Sequence, residues 1–529
     1  MSARAMSAKK TRGQGLALAL SLPLVLGAFH QAGAEPADEP QRFKLVCGSS
    51  GSSSSTCHFG FAASKVTIEK QLSSAACIED TTWQATGRSV TVHNGCDARF
   101  EVETDTRRPK VVILTDIGQD PDDTQSLIRA LLHANDLSIE GIIPTYRPGG
   151  RLVASDLAKL VIKTYGKDVD QLRQHDIRYP DADELLARLK PGHPFNDKIG
   201  AGYDSPGSKH LVKVVDASEE PVWVLVWGGS RELAQAVYKV RNTRSDKAFH
   251  AFIDKLRVYA IAWSQYSPEP AEYLAANAND LFWISSASYD GKKNATFRGM
   301  YMLGDHSMQD RAWKKEFILS RGQLGKLYPL TTTEDGLKEG DTPSLLHVLP
   351  IGLSDPERPE EGGWGGRYEQ EPAYAHITRN FFSSRDVKDW LDDQRDRRAS
   401  VARWRPAFQA EFAARAAWLE LDYDDANHPP IVAMDGETSR AARSGDKITL
   451  DASASVDPDD DRLSYRWWIY KEASSLSDGL EITDSDSAVA TVVVPEVEKQ
   501  EEVSIILEVQ DDGMPALTRY QRIRLIIDP

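Results

Sequence analysis

Val111-Val112-Ile113-Leu114-Thr115-Asp116-Ile117-Gly118-Gln119-Asp120-Pro121-Asp122-Asp123-Thr124 is the stretch on which the fold turns. Its first five residues form an unbroken run rich in β-branched side chains, the pattern of a strand buried on both faces of a parallel sheet. Four carboxylates follow within eight residues. Leu127, Ile128, Leu131 and Leu132 then recur at helical spacing over 124–134. The unit repeats downstream. Residues 139–145 read as a second strand ahead of a helix at 152–165. Residues 221–227 read as a third, followed by Gly228-Gly229 and a helix at 231–241, and 256–263 and 281–285 as a fourth and fifth. This alternation predicts an α/β domain whose mostly parallel sheet carries helices on both faces. Such sheets place their sites in the loops at the carboxyl ends of the strands.

The acidic loop demands an electrostatic account. Two carboxylates about 4 Å apart repel by about 4 kcal/mol at an effective dielectric near 20. Converging acids therefore take up protons or hold a cation. Hard oxygen donors favour calcium or magnesium over zinc. Capping of the following helix accounts for Asp122 or Asp123, but not for Asp116 at the strand end. An EF-hand is excluded, because Pro121 falls where that loop needs glycine and Leu127 where it needs glutamate. Asp457-Pro458-Asp459-Asp460-Asp461 carries a similar acidic sequence, but between strands of a sandwich it reads as a solvated turn.

The flanks divide the 529 residues further. Residues 1–34 read as a signal peptide: Arg4, Lys9, Lys10 and Arg12 precede an apolar stretch at 16–29 and the cleavage pattern Ala32-Gly33-Ala34. The apolar stretch is short of the roughly 20 residues of a membrane span, and no later segment reads as one. The reading is a periplasmic or secreted protein without a membrane span after cleavage. Cys47, Cys57, Cys77 and Cys96 all fall in a small cysteine-containing β domain at 41–104, where two disulfides are expected and three connectivities are open. Residues 108–385 form the α/β domain, and 386–428 a charged, tryptophan-rich helical extension packing on it. Residues 429–529 form an immunoglobulin-like β-sandwich with strands at 447–451, 463–469, 488–494, 503–510 and 522–527. A net charge of −16 argues against nucleic acid as a partner.

Several of these pieces resemble known families. The strand, the acidic loop and Gln125-Ser126-Leu127-Ile128-Arg129 are similar to the calcium-binding start of nucleoside hydrolases. They resemble more closely the nucleoside hydrolase-like domain of bacterial cellulose-binding proteins. Further agreement comes from Ile139-Glu140-Gly141-Ile142-Ile143, Trp223-Val224-Leu225-Val226-Trp227-Gly228-Gly229-Ser230, Glu339-Gly340-Asp341-Thr342-Pro343-Ser344 and Gly362-Gly363-Trp364-Gly365-Gly366-Arg367-Tyr368. Residues 445–468 resemble polycystic-kidney-type modules of exported proteins. The segment around Cys47, Cys77, Trp83 and 92–100 resembles a small cysteine-containing bacterial domain of unknown function.

The nucleoside hydrolase resemblance implies a calcium ion that grips sugar hydroxyls and a water. Asp122 and Asp123 match the paired aspartate ligands and Asp341 the late one. Asp116 or Asp120 would supply the remaining carboxylate, as metal ligand and catalytic base. Trp227, Trp364 and Arg367 are the candidates for substrate contact, Trp364 because glycines flank it. Trp263 and Tyr368 are further stacking candidates, whereas His210, His306 and His347 read as structural. The chain departs from the pattern in three places. Gly118 stands where an aspartate is usual, and Gly340 where a histidine protonates the leaving base. Residues 146–150 replace the asparagine-containing ribose loop. The expectation is an exported, calcium-dependent hydrolase of N-glycosyl (ribosyl-type) or related glycosidic bonds, acting on a carbohydrate or nucleoside-like small molecule. The alternative is a non-catalytic protein that binds cellulose or another polysaccharide.

Overall fold

Strands without polar alternation need apolar cover on both faces, and the central sheet is built that way. In chain order its strands are β1 (Lys110–Thr115), β2 (Ser138–Pro144), β3 (Val222–Val226), β4 (Leu256–Ala260), β5 (Phe282–Ser285), β6 (Glu369–Gln370) and β7 (Phe381–Ser383). Their spatial order is β6-β7-β5-β4-β3-β1-β2. All run parallel except the edge strand β6, which pairs antiparallel with β7. In β1, Val111 and Ile113 enter one apolar core while Val112 and Leu114 enter the core on the opposite face. The chain leaves β1 towards β2 on one side and β3 towards β4 on the other. The loops after β1 and β3 therefore diverge, and a crevice opens at a topological switch point.

This computed structural model describes residues 40–529 apart from 147–153, 195–197, 263–264, 266, 288–294, 331–336 and 477. The signal-peptide reading, Trp263 and most of the 146–150 loop lie outside the described residues. Among those described, no helix is long and apolar enough to cross a membrane. The amino-terminal region forms two three-stranded antiparallel sheets. Disulfides Cys47–Cys57 and Cys77–Cys96 staple it, which selects one of the three pairings left open above. The carboxyl-terminal region pairs a four-stranded sheet with a three-stranded one over a shared apolar core.

The segment expected to be a helical extension begins differently. A hairpin of Asp389–Leu391 and Gln394–Asp396 comes first, turning at Asp392 with φ +51°, a left-handed position that aspartate tolerates better than most residues. Only then do helices form, with Pro406 in the first turn of the longest, where its missing N–H costs nothing. The helices that matter below are α1 (Pro121–Leu132), α2 (Thr342–His347) and α3 (Arg405–Ala417).

Buried charges fasten these parts to one another. Arg415 on α3 is 2% exposed. It pairs with Glu411 at 2.7 Å and Asp136 at 2.5 Å and donates to the Leu132 carbonyl at 3.0 Å. Glu411 also receives Arg519 of the sandwich at 2.8 Å. The last sandwich strand, Thr518–Asp528, extends its hydrogen bonding to the α/β domain, Tyr520 N to Ile351 O at 3.1 Å and Arg522 N to Gly352 O at 3.0 Å. Removing one member of a buried charge pair leaves the other uncompensated, at a cost of about 3–5 kcal/mol. Arg415→Met should therefore lower unfolding stability by about that amount in denaturant titration. A loss below 1 kcal/mol would mean that the junction does not depend on this guanidinium.

Candidate metal centre

The crevice is lined by acids because β1 ends at Thr115 and α1 begins almost at once. Asp120 occupies the helix N-cap, Pro121 the first turn, and Asp122 and Asp123 follow. Asp116, Asp122, Asp123 and Asp341 are only 2–8% exposed, so water screens their mutual repulsion poorly. Asp122, Asp123 and Asp341 each place an oxygen within 4.8 Å of the others. Asp341 arrives from more than 200 positions away, at the position just before α2, with no cap hydrogen bond from its side chain. Asp116 lies within hydrogen-bond reach of Asp123, and Thr115 Oγ1 donates to Asp123 Oδ1 at 2.5 Å. The acids separated widely in sequence thus share one enclosed space.

Two glycines make room for it. A Cβ on Gly228, just after β3, would sit 2.6 Å from Asp116 Cγ. Gly118 adopts φ +90°, and a Cβ there would come within 3.0 Å of Ala154. A side chain at 118 is thus strained.

The charge balance is one-sided. Burial pushes Asp122 up to about 6; Lys338 opposes this, and Asp120 and Asp116 add to it. Burial, followed by repulsion from neighbouring aspartates, also raises Asp123 and Asp341 well above the ordinary carboxylate range. The cation nearest to hand is Lys338. Burial opposes its charge, yet Asp122 and Asp120 outweigh burial and hold it above its usual value. Lys338 Nζ contacts Asp120 Oδ2 and lies 3.3 Å from Asp122 Oδ2. Asp120 is thereby committed to an ion pair at the half-exposed mouth. Asp341 Oδ2 is buried without a hydrogen-bond partner. An orphaned carboxylate oxygen among hard donors fits a calcium-class cation.

A layer behind the acids holds them in place. Gln125 Oε1 accepts from the backbone N–H groups of Lys338 and Glu339, each at 3.0 Å. Arg129, one turn further along α1, pairs with Glu339 at 2.7 Å and stacks over Phe412 at 3.9 Å. Ser126 and Thr342 share a hydroxyl contact at 2.8 Å. The sequence assigns no role to Lys338, and it presents Gln125 and Arg129 only as part of the resembling segment. The available signal was the polar stripe Asp122, Gln125, Ser126, Arg129 at helical spacing, which ordinarily marks a solvent-facing side. Here the 337–342 segment covers it.

The proposed substrate-contact residues lie elsewhere in the packing. Trp227 is 1% exposed. Its Nε1 donates to Ser344 Oγ at 2.8 Å, and Ser344 Oγ donates to the Asp341 carbonyl at 2.7 Å, so the ring braces α2 beneath Asp341. Trp364 is equally buried, edge-on to Phe408 of α3 and Tyr520 of the sandwich. Arg367 pairs with Asp389 at 2.9 Å and Glu369 at 3.1 Å. The glycines beside Trp364 serve close packing: a Cβ on Gly365 would meet Pro343 O at 2.5 Å, and one on Gly362 would meet Tyr470 Oη at 2.9 Å. Tyr368 is buried too, its hydroxyl donating to Gly365 O at 3.0 Å.

A parallel sheet with an aspartate-lined crevice at its switch point, completed by a late helix cap, defines a nucleoside hydrolase-like protein. Residues 110–368 match the model of the "Cellulose-binding Sde182, nucleoside hydrolase-like domain", and 447–528 that of the "Cellulose-binding protein Sde0182, C-terminal domain". Residues 26–117 match a protein family of unknown function, DUF3011. A solved structure of a nucleoside hydrolase-related hypothetical protein from Saccharophagus degradans, associated with carbohydrate metabolism, is 31% identical. The match covers 80% of this chain and 100% of that one, with a TM-score of 0.68. The chain belongs to this Sde182 family. An inosine-uridine preferring nucleoside hydrolase from Bacillus anthracis aligns at 12% identity over 59% of this chain and 99% of its own, with a TM-score of 0.31. Among curated proteins, none matches.

The raised carboxylates set a pH dependence. A folded-state value of about 6 for Asp122 against an ordinary 3.8 means that between these values the folded chain binds more protons than the unfolded one. Without metal, the Asp122 contribution to stability therefore falls as pH rises from about 4 to 6 and is gone above that window, and the raised Asp123 and Asp341 extend the fall to higher pH. For Asp122 the loss is on the order of 3 kcal/mol. In chelator, unfolding midpoints should drop across this range, and Asp341→Asn should be more stable than wild type at pH 7.5. A flat profile, or a destabilised Asp341→Asn protein, would contradict the uncompensated charge.

Proposed function

We propose that this protein is an exported, calcium-dependent hydrolase of N-glycosyl (ribosyl-type) or related glycosidic bonds. The observation that carries the reading is the enclosure of Asp116, Asp122, Asp123 and Asp341, with the Asp341 Oδ2 orphaned and Lys338 at the rim. Asp122, Asp123, Asp341 and Asp116 are the residues that would hold calcium. Bound there, the ion supplies Lewis acidity towards a water and the hydroxyls of a sugar. Asp116 takes the proton from the attacking water at its carboxylate, with Thr115 holding its neighbour Asp123 in place. Asp120, paired with Lys338, shapes the entrance and orients the polar end of a substrate. Gly340 offers no imidazole beside Asp341, so leaving groups that depart without enzymatic protonation fit best. Two disulfides favour an oxidising compartment, in line with export to the periplasm or medium.

A second reading has its own support, in the cellulose-binding description of the family and in Trp390. This side chain is 53% exposed and borders a groove with Trp468, Arg466 and Glu508, where a flat aromatic face suits a sugar ring. On that reading the chain holds a polysaccharide and turns nothing over.

A panel of ribosyl and glucosyl glycosides, assayed with calcium, separates the two. The hydrolase reading expects release that chelation abolishes and that Asp116→Asn lowers by about 10²–10⁴-fold. No turnover, combined with retention on insoluble cellulose that Trp390→Ala removes, would replace it with the binding reading.

A further inference from the structure

The turn at 457–461 reads from the sequence as solvated, and the structure corrects this. Asp457, Asp459 and Asp461 are all partly buried and bring one oxygen each within 4.8 Å of the others. A fourth carboxylate, from a different strand end, lies near enough to repel Asp457 and Asp461. Asp511, just beyond Glu501–Gln510, is 3% exposed. Its Oδ1 accepts from Asn427 Nδ2 at 3.1 Å, Gly513 N at 3.1 Å and Leu517 N at 2.9 Å. Its Oδ2 is buried with no hydrogen-bond partner. Asp457 repeats the arrangement: Oδ1 accepts from Asp459 N at 2.9 Å and Asp461 N at 3.2 Å, while Oδ2 is buried and unpartnered. Asn427 Oδ1 is a third such oxygen.

The charges of these groups act on one another. Burial pushes Asp457 up to about 6, with Asp459 and Asp511 adding to the effect. Burial likewise raises Asp511, with a contribution from Asp461. Among the described residues, no lysine or arginine pairs with Asp457, Asp461 or Asp511, and Asp459 is met by His428 Nδ1 at 2.9 Å. The neighbouring Arg462 turns instead to Asp512 at 3.2 Å. Buried polar groups are normally satisfied. Three buried oxygens left over beside four carboxylates, with no lysine or arginine paired to Asp457, Asp461 or Asp511 among the described residues, describe a place built for a positive charge.

We propose that Asp457, Asp459, Asp461 and Asp511 form a second calcium-class cation site, at the junction between the sandwich and the linker that enters it. Carboxylates from two loops, with a neutral amide oxygen alongside, suit calcium's high and flexible oxygen coordination better than the strict octahedron of magnesium. The linker is tied to the same groups. His428 N donates to Asp459 Oδ2 at 2.6 Å, and Asn427 donates to Asp511. A cation here fixes the point where the chain passes from α3 into the sandwich, and so the placement of the sandwich.

Calcium content by elemental analysis after dialysis, together with the calcium-induced rise in unfolding temperature, tests this on the full-length protein. Asp341→Asn removes the crevice site from the count. In that background one calcium equivalent should remain. Asp341→Asn combined with Asp457→Asn should hold none and lose the remaining calcium-induced rise. Asp461→Asn, at a more exposed position, serves if Asp457→Asn does not fold. Calcium that Asp341→Asn eliminates and Asp457→Asn or Asp461→Asn leaves untouched would overturn the second site while sparing the crevice. Calcium lost with Asp457→Asn and kept with Asp341→Asn would support it and count against the crevice reading.

Discussion

Four aspartates forced into one water-poor crevice are the constraint around which this molecule is organised. At about 4 kcal/mol per close pair at an effective dielectric near 20, their repulsion is comparable to a sizeable share of a domain's net stability. Lys338 at the rim opposes it. The acids stay together because other interactions leave them no alternative. Asp122 and Asp123 are placed by the start of α1, and Asp341 by its position just before α2. α2 is braced by Trp227 through Ser344, and the segment before it is locked by Gln125 and Arg129. A fold that maintains a repulsive cluster with this much support is one in which the cluster has a use.

The same logic explains why large buried side chains near the crevice are not ligand contacts by default. Trp227 is close to Asp341 in the hydrogen-bond network, but its position is below α2, where it transmits rigidity. Trp364 and Arg367 serve the seam between α3, the hairpin and the sandwich. Their sequence surroundings, glycines around a tryptophan and an arginine, look like a loop adapted to a ligand. The close approach those glycines permit is to Pro343, Tyr470 and neighbouring backbone. Glycine reports that something comes near, not what it is.

The parts of the fold legible in the sequence are those fixed by local chemistry. The β1 run, the acidic loop, the repeating strand-and-helix units and the alternating strands of the sandwich all declare themselves within ten or fifteen residues. Asp341 could be joined to the loop only through resemblance, since no periodicity links positions 123 and 341. β7 was hidden because Phe381-Phe382-Ser383 is too short to show a pattern, and the hairpin at 389–396 because its charged residues look helical. Lys338 and Arg129 were invisible for a different reason: a buried ion pair has the composition of a surface. The acids at 457–461 look solvated on the same ground, since the sequence does not show that Asp511 lies beside that turn.

Taken together, the charged clusters place the three structural regions under a common electrostatic control. The helices of α1 and α3 meet through Arg129 and Arg415. Arg415 reaches the sandwich through Glu411 and Arg519, and the linker meets the sandwich at His428 and Asp459. Arg415–Asp136 and Glu411–Arg519 each pair a buried charge with a partner from a different region, so both are lost entirely if the regions separate. Apolar seams tolerate sliding, whereas directional charge pairs require one register. A crevice whose ligands must converge to within a few ångströms benefits from that rigidity, because α3 packs directly behind Arg129 and therefore behind the segment that delivers Asp341. The carboxyl-terminal regions thus act on the site through the frame that holds it, without contributing a side chain to it.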